Sequence, residues 1–247
     1  MVWRGAHGGR GPAPRGLGGG MSLALQERLA RRARGRRPWV LGLTGSIGMG
    51  KTTAARMARC RGVPVHNADA TVHQVLAPGG AAVAAVLAAF PGVGDGQGGI
   101  DRRALGARVF GDPEALRRLE GLLHPRVRAV ERAFLARHTR ERRRVVVLDV
   151  PLLFETGGER RCDWVAVVWA PPFLRAQRVL ARPGLTRERL HQIIGLQTRE
   201  PYKKLHADAL LPSGLGREPA WRALGRVLRA KQRRSLAPRA GRFYPHA

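Results

Sequence analysis

A chain of 247 residues with 44% hydrophobic content has the material for one packed domain, or one domain with sizeable insertions, which argues against global disorder. No run approaches the roughly 18 consecutive apolar residues of a membrane span, so a soluble protein without a membrane partner is expected. The net charge of +28 invites a nucleic-acid partner, yet half of that excess sits at the two ends: residues 1–37 carry nine Arg and one Glu, and residues 229–247 carry five Arg, one Lys and no acid.

Residues 1–37 read as a basic extension. The Gly-, Arg- and Pro-rich stretch 1–20 has no apolar period that could repay ordering, and 22–36 reads as a short basic helix. From Trp39 the pattern changes. Val40-Leu41-Gly42-Leu43 is a short apolar run that ends in a glycine-rich turn, as a buried parallel strand does, and Thr52 to Cys60 reads as a helix. Val63–His66 is a second short strand. Residues 69–90 are helical in pattern and broken at Pro78-Gly79-Gly80. Helix resumes from Asp101 to about Arg140, with expected interruptions at Asp112-Pro113 and His124-Pro125. Val145–Val150 and Asp163–Trp169 read as strands, and this pattern makes Trp164 and Trp169 core residues. Residues 172–182 and 186–200 read as arginine-rich helices, Ala209–Leu211 as a last strand and 217–231 as a last helix.

Strands alternating with helices indicate an α/β fold built on a parallel sheet. The long helical stretch between the second and third strands is too large for a plain crossover, so it is expected to form a side region at about 70–140. The body runs over 38–230 and a basic tail over 231–247. Cys60 and Cys162 have no metal-ligand spacing and suggest no disulfide framework; they read as small buried or half-buried thiols in a reducing cytoplasm.

Gly45-Ser46-Ile47-Gly48-Met49-Gly50-Lys51-Thr52 matches the phosphate-binding pattern of two glycines with four residues between them followed by Lys-Thr. Glycines let the backbone curl until successive N–H groups point inward at phosphate oxygens, and the following helix adds its positive end. Lys51 supplies a point charge to the β- and γ-phosphates, and the Thr52 hydroxyl suits Mg²⁺. ATP with Mg²⁺ is the implied ligand. The chain has only four lysines (Lys51, Lys203, Lys204 and Lys231) against 41 arginines, so each lysine position is informative. Asp69 follows the second strand near the carboxyl edge of the sheet, where it can accept or orient a hydroxyl proton, or else open a helix as its N-cap. Asp149 ends the most apolar strand, a place for an acid that holds Mg²⁺ through water or for a plain strand-end acid. Arg178 and Arg182 lie four apart and share one helix face, either toward phosphates or toward solvent.

Several separated blocks, in order, resemble the dephospho-coenzyme A kinases over about residues 39–230. Leu43 to Thr53 is similar to that family's phosphate loop, with Met49 where Ser is common. Asn67-Ala68-Asp69 with His73-Gln74-Val75 is similar to its Asp-Ala-Asp block, with Asn67 in place of the first acid. Asp101 to Leu105, Val109-Phe110 and Leu119-Glu120 resemble its helical substrate domain. Leu123 to Val127 resembles its His-Pro block, and Asp149 to Glu155 its Pro-Leu-Leu block. Gln177-Arg178, Arg182 and Leu185 to Glu188 resemble its lid, with Pro183-Gly184 where Asp-Gly is common. The resemblance implies transfer of the ATP γ-phosphoryl group to the ribose 3′-hydroxyl of dephospho-coenzyme A. It implies Asp69, Lys51 and Arg178 as catalytic, Gly45, Ile47, Gly48, Met49, Gly50, Lys51, Thr52, Thr53 and Arg182 around the nucleotide, and Asp69 and His124 toward the acceptor, His124 being a structural histidine on the alternative view. Thr52 and Asp149 fall on the metal side, and about 172–205 is the lid. A cytoplasmic monomer is expected. Another nucleoside or nucleotide kinase on the same core, or a basic RNA-binding protein, are the alternative readings.

Overall fold

A computed structural model describes residues 37–230. In chain order its elements are β1 (Trp39–Thr44), α1 (Lys51–Cys60), β2 (Val65–Asn67), α2 (Ala68–Leu76), α3 (Val83–Ala89), α4 (Arg102–Val109), α5 (Pro113–Arg140), β3 (Val145–Asp149), β4 (Trp164–Trp169), α6 (Pro172–Leu180), α7 (Arg187–Gly195), α8 (Glu200–Leu205), β5 (Ala209–Pro212) and α9 (Arg217–Ala230). The strands form one parallel sheet in the order β2-β3-β1-β4-β5. β1 is buried along its whole length, and β3 is a near-continuous Val/Leu run, the composition of a strand covered on both faces.

Side chains alternate across the sheet, so each strand feeds two cores. Leu41, Leu43, Val147, Ala166 and Leu211 face one layer with Ala54 and Ala58 of α1 and Leu224 and Val227 of α9. Val40, Val146, Leu148 and Val165 face the other, with Leu153, Cys162 and the α5 residues Phe134 and Leu135. The small alanines of α1 allow that helix to lie close to β1, which puts its first turn directly above the strand's carboxyl end.

The helices between β2 and β3 bury a cluster of their own, in which Val75, Leu76, Val86, Phe90, Ile100, Leu105 and Leu119 meet. That separate apolar core is the physical reason the segment stands as a side region. α5 has 28 residues, about 42 Å of helix, and joins the two cores. Leu119 near its start belongs to the helical cluster, while Phe134 and Leu135 near its end lie on the sheet.

Two local expectations need correction. His124-Pro125 does not interrupt the helix, because α5 runs through Pro125. A proline inside a helix removes one N–H and crowds the carbonyls of the preceding turn. Here the Arg126 guanidinium donates to Leu122 O at 2.7 Å and to Ala81 O at 2.7 Å, and apolar residues on both sides of the proline belong to one cluster. Asp112-Pro113 does mark a boundary, with Asp112 as N-cap accepting from Glu114 and Ala115 N–H and Pro113 in the first turn. Of the two thiols, Cys162 is buried but Cys60 is exposed, at the last residue of α1 and off the face that Ala54, Met57 and Ala58 bury. The helix expected at 22–36 and the tail at 231–247 lie outside the described residues. No helix among the described residues is long and apolar enough to cross a membrane.

Candidate active site

Parallel register assembles the site at one edge. Leu43 pairs with Asp149 and Asn67 pairs with Asp149, so the carboxyl ends of β1, β3 and β2 finish level. On the other side Trp169 pairs with Pro212, which brings Ser213 beside the loop that leaves β1. This is the edge at which open α/β sheets take their ligands.

The loop from Gly45 to Gly50 curls back between β1 and α1. Gly48 and Gly50 have φ of +77° and +86°, a left-handed backbone that L side chains rarely adopt. Gly50 is the N-cap of α1, contributes no side-chain cap, and no acid occupies the first helical turn. The N–H groups of that turn and the positive helix end are thus left for an anion. The Ile47 N–H donates to Gln197 Oε1 at 3.2 Å, so an amide oxygen from the segment after α7 already engages the loop.

Lys51 opens α1 and its Nζ lies 2.6 Å from Asp149 Oδ1. The second oxygen, Oδ2, accepts from Asn67 Nδ2 at 2.9 Å. Asn67 also caps α2, its Oδ1 accepting from the Ala70 N–H at 2.8 Å. One residue therefore ends β2, starts a helix and fixes the buried acid. Burial pushes the Asp149 carboxyl above its ordinary value; Lys51 pulls it back, and the neighbouring Asp69 charge adds to the rise. Asp69 is exposed in the first turn of α2, and the N-cap is Asn67, which leaves the Asp69 carboxylate free of the capping role.

Arg178 on α6 donates through Nη1 to Ser213 Oγ at 3.1 Å and through Nη2 to Ser213 O at 2.9 Å, while Ser213 Oγ donates to Met49 O at 2.6 Å. Met49 is buried and its sulfur accepts from the Ala170 N–H at 3.1 Å, so the residue standing where Ser is common anchors the loop to the end of β4. Lys203 of α8 is fully buried and bonds Ser46 Oγ at 3.1 Å and Glu155 Oε1 at 3.0 Å.

A cleft of about 810 Å³ opens along this edge. It is lined by Gly45 through Ala54, by Asp69, by Arg178 and Arg182, by Leu152, and by Ile193, Leu196 and Gln197. Lys51, Thr52, Thr53, Asp69, Arg178 and Arg182 are thus brought together. Asp149 lies behind Lys51, 1% exposed on its side chain. His124 is exposed on α5 and does not line the cleft. Ser213 and Gln197 carried no signal in the sequence, and Glu155 only its place at the end of the Pro-Leu-Leu block, because each acts through a neighbour supplied by the fold. Lys203 carried two signals, the scarcity of lysine and a position where the resembling family often has basic residues. Trp164 packs on the core as expected, tilted against Trp39 at 5.6 Å; Trp169 is half-buried, with the Lys204 ammonium 3.8 Å above its ring.

A phosphate cradle at the central strand of a parallel sheet, with a carboxylate and two arginines across one cleft, defines a P-loop kinase. The family model for dephospho-CoA kinase matches residues 39–215. Dephospho-CoA kinase of Rhodospirillum rubrum is 65% identical over 185 residues, covering 75% of this chain and 88% of that protein. Dephospho-CoA kinase of Mesorhizobium japonicum is 53% identical over 182 residues, covering 73% and 90%. Among solved structures, TT1252 from Thermus thermophilus matches with a TM-score of 0.71 at 35% identity, covering 79% of this chain and 98% of that one. The chain belongs to the dephospho-CoA kinase family, and with it to the final step of coenzyme A biosynthesis.

Proposed function

We propose that the cleft transfers the γ-phosphoryl group of ATP to the ribose 3′-hydroxyl of dephospho-coenzyme A, with Asp69 as the group that orients that hydroxyl and takes its proton. The observation that carries this reading is the convergence of the glycine loop, Lys51, Asp69, Arg178 and Arg182 on one cleft. The nucleotide phosphates lie against the loop N–H groups, and the Lys51 ammonium turns from Asp149 toward them. Arg178, already docked at the loop by Ser213, and Arg182, which lies just past the end of α6 and not on it as the spacing suggested, bring planar cations to the oxygens on which charge builds up in transfer. Helices α6 to α8, within residues 172–205, close as a lid and exclude water, and the helical region at about 70–140 receives the acceptor.

The residues fit a Mg²⁺ that arrives with ATP. Both Asp149 oxygens are engaged, and among the described residues no group of three or more His, Cys, Asp or Glu could hold an ion alone. Nucleotide phosphates and the Thr52 hydroxyl would hold it, with Asp149 behind water. When bound, it neutralises charge on the phosphate oxygens.

A coupled assay with ATP, Mg²⁺ and dephospho-coenzyme A tests the assignment. Asp69→Asn is expected to lower kcat by about 100-fold or more, the usual worth of a positioned base, while ATP binding by calorimetry stays as in the wild type. Undiminished kcat in that variant removes Asp69 from the mechanism. Preference for a nucleoside monophosphate acceptor in a substrate panel removes the acceptor assignment.

A further inference from the structure

In a chain that uses arginine ten times more often than lysine, a lysine sits fully buried at 0% exposure behind the phosphate loop. The Lys203 Nζ donates to Ser46 Oγ at 3.1 Å and pairs with Glu155 Oε1 at 3.0 Å. Ser46 belongs to the loop and lines the cleft. Glu155 Oε1 also accepts from the Thr198 N–H, at 2.7 Å, in the segment between α7 and α8. The other Glu155 oxygen is buried and takes no hydrogen bond, so this carboxylate depends on the two partners it has. Three segments far apart in the chain meet on one ammonium.

A buried cation persists only where it is paired and hydrogen-bonded. The enclosure offers Lys203 two acceptors. An arginine would bring a larger planar head with five N–H groups to satisfy, which explains a lysine in an arginine-biased chain. The side chain belongs to none of the hydrophobic clusters, and its hydrogen bond ends on the cradle itself.

We infer that Lys203 is a positioning residue for the phosphate cradle: through Ser46 it holds the loop in its inward curl, and through Glu155 and Thr198 it ties that curl to the base of the lid. The neighbouring Gln197 joins the same segment to the loop at Ile47, a second tether one residue away. Lys203 is fully buried and does not line the cleft; it acts on the shape of the groups that do. The inference rests on the reading of the loop as an ATP site.

Calorimetry with Mg-ATP reads the cradle without the acceptor. Lys203→Met and Ser46→Ala, each checked for fold by circular dichroism, are expected to bind Mg-ATP about tenfold more weakly, the worth of one hydrogen bond to a charged group. In the coupled assay KM for ATP rises while KM for dephospho-coenzyme A stays within about twofold. The double variant loses no more affinity than Lys203→Met alone, because both changes remove one bond. Affinity of Ser46→Ala within about twofold of wild type overturns the inference, and this variant decides the matter if Lys203→Met fails to fold, since it leaves the Lys203–Glu155 pair in place. If the wild type phosphorylates no dephospho-coenzyme A, the proposed reaction fails, and the comparison of ATP affinities still tests Lys203.

Discussion

At the scale of single residues, the site is a set of charges held apart from water by neighbours that satisfy them. Lys51 and Asp149 illustrate the balance. Removing one partner of a buried ion pair commonly costs about 3–5 kcal/mol, because the other charge is left stranded. Burial already pushes the Asp149 carboxyl toward its neutral form, so once Lys51 is gone it can take up a proton instead of remaining charged. Lys51→Met is therefore expected to stay folded, with a thermal midpoint near that of the wild type. Its turnover should fall at least about 100-fold, since a preorganised charge on the transferring group is lost. Thermal denaturation and the coupled assay on one preparation check both halves, and wild-type turnover would remove Lys51 from the cradle. Asn67 shows how a departure from the family pattern is absorbed. An acid at this position would set a further negative charge beside Asp149; the amide donates to Asp149 and still caps α2.

At the scale of elements, the segment between α7 and α8 is tied to the phosphate loop through Glu155 and Lys203, which bonds Ser46. Burial pushes the Glu155 carboxyl up, but the Thr198 amide and Lys203 outweigh that, and the net position is below the ordinary 4.5. As pH falls, the unfolded chain takes up this proton before the folded one. The stabilisation from Glu155 is thus complete above its ordinary value and is lost as pH falls through the lower folded value. Glu155→Gln should flatten the fall of Tm in that acid window and change it little near neutral pH relative to its own plateau. A slope between pH 3 and 5 identical to wild type, read by scanning calorimetry (a window of about two pH steps around the carboxylate range), would contradict the pairing. α5 makes a different point about elements. Its proline is tolerated because two cores hold the helix on either side.

For the whole molecule, the question raised by a charge of +28 is where that charge acts. The described body runs from Arg37, whose guanidinium pairs with Asp163 at 2.8 and 2.6 Å, to Ala230. A chain trimmed to residues 37–230 keeps that pair and every residue that lines the cleft. It is expected to retain full kcat for dephospho-coenzyme A phosphorylation. Any affinity for RNA, measured by salt-dependent filter binding, should fall with the removed arginines, because such binding follows the number of phosphates neutralised. Loss of kcat on trimming would assign the ends a part in catalysis.

The phosphate loop, the alternation of strands and helices, and the order of the family-like blocks were legible in the amino acids alone, because each is written in contiguous residues: two glycines and a lysine, an apolar run, a helical period. The partners of those residues were not. Ser213 and Gln197 meet the loop, and Glu155 meets Lys203 behind it, because parallel pairing levels the strand ends and the segments after β5 and α7 arrive beside them. Pro125 was misplaced locally for the same reason, since burial on two cores outweighs the turn preference that short-range reading relies on, and the choice between the two readings of Asp69 needed the Asn67 cap to be seen. Hydrogen-bond satisfaction in a buried place depends on what arrives from elsewhere in the chain, and that arrival exists once the sheet has formed.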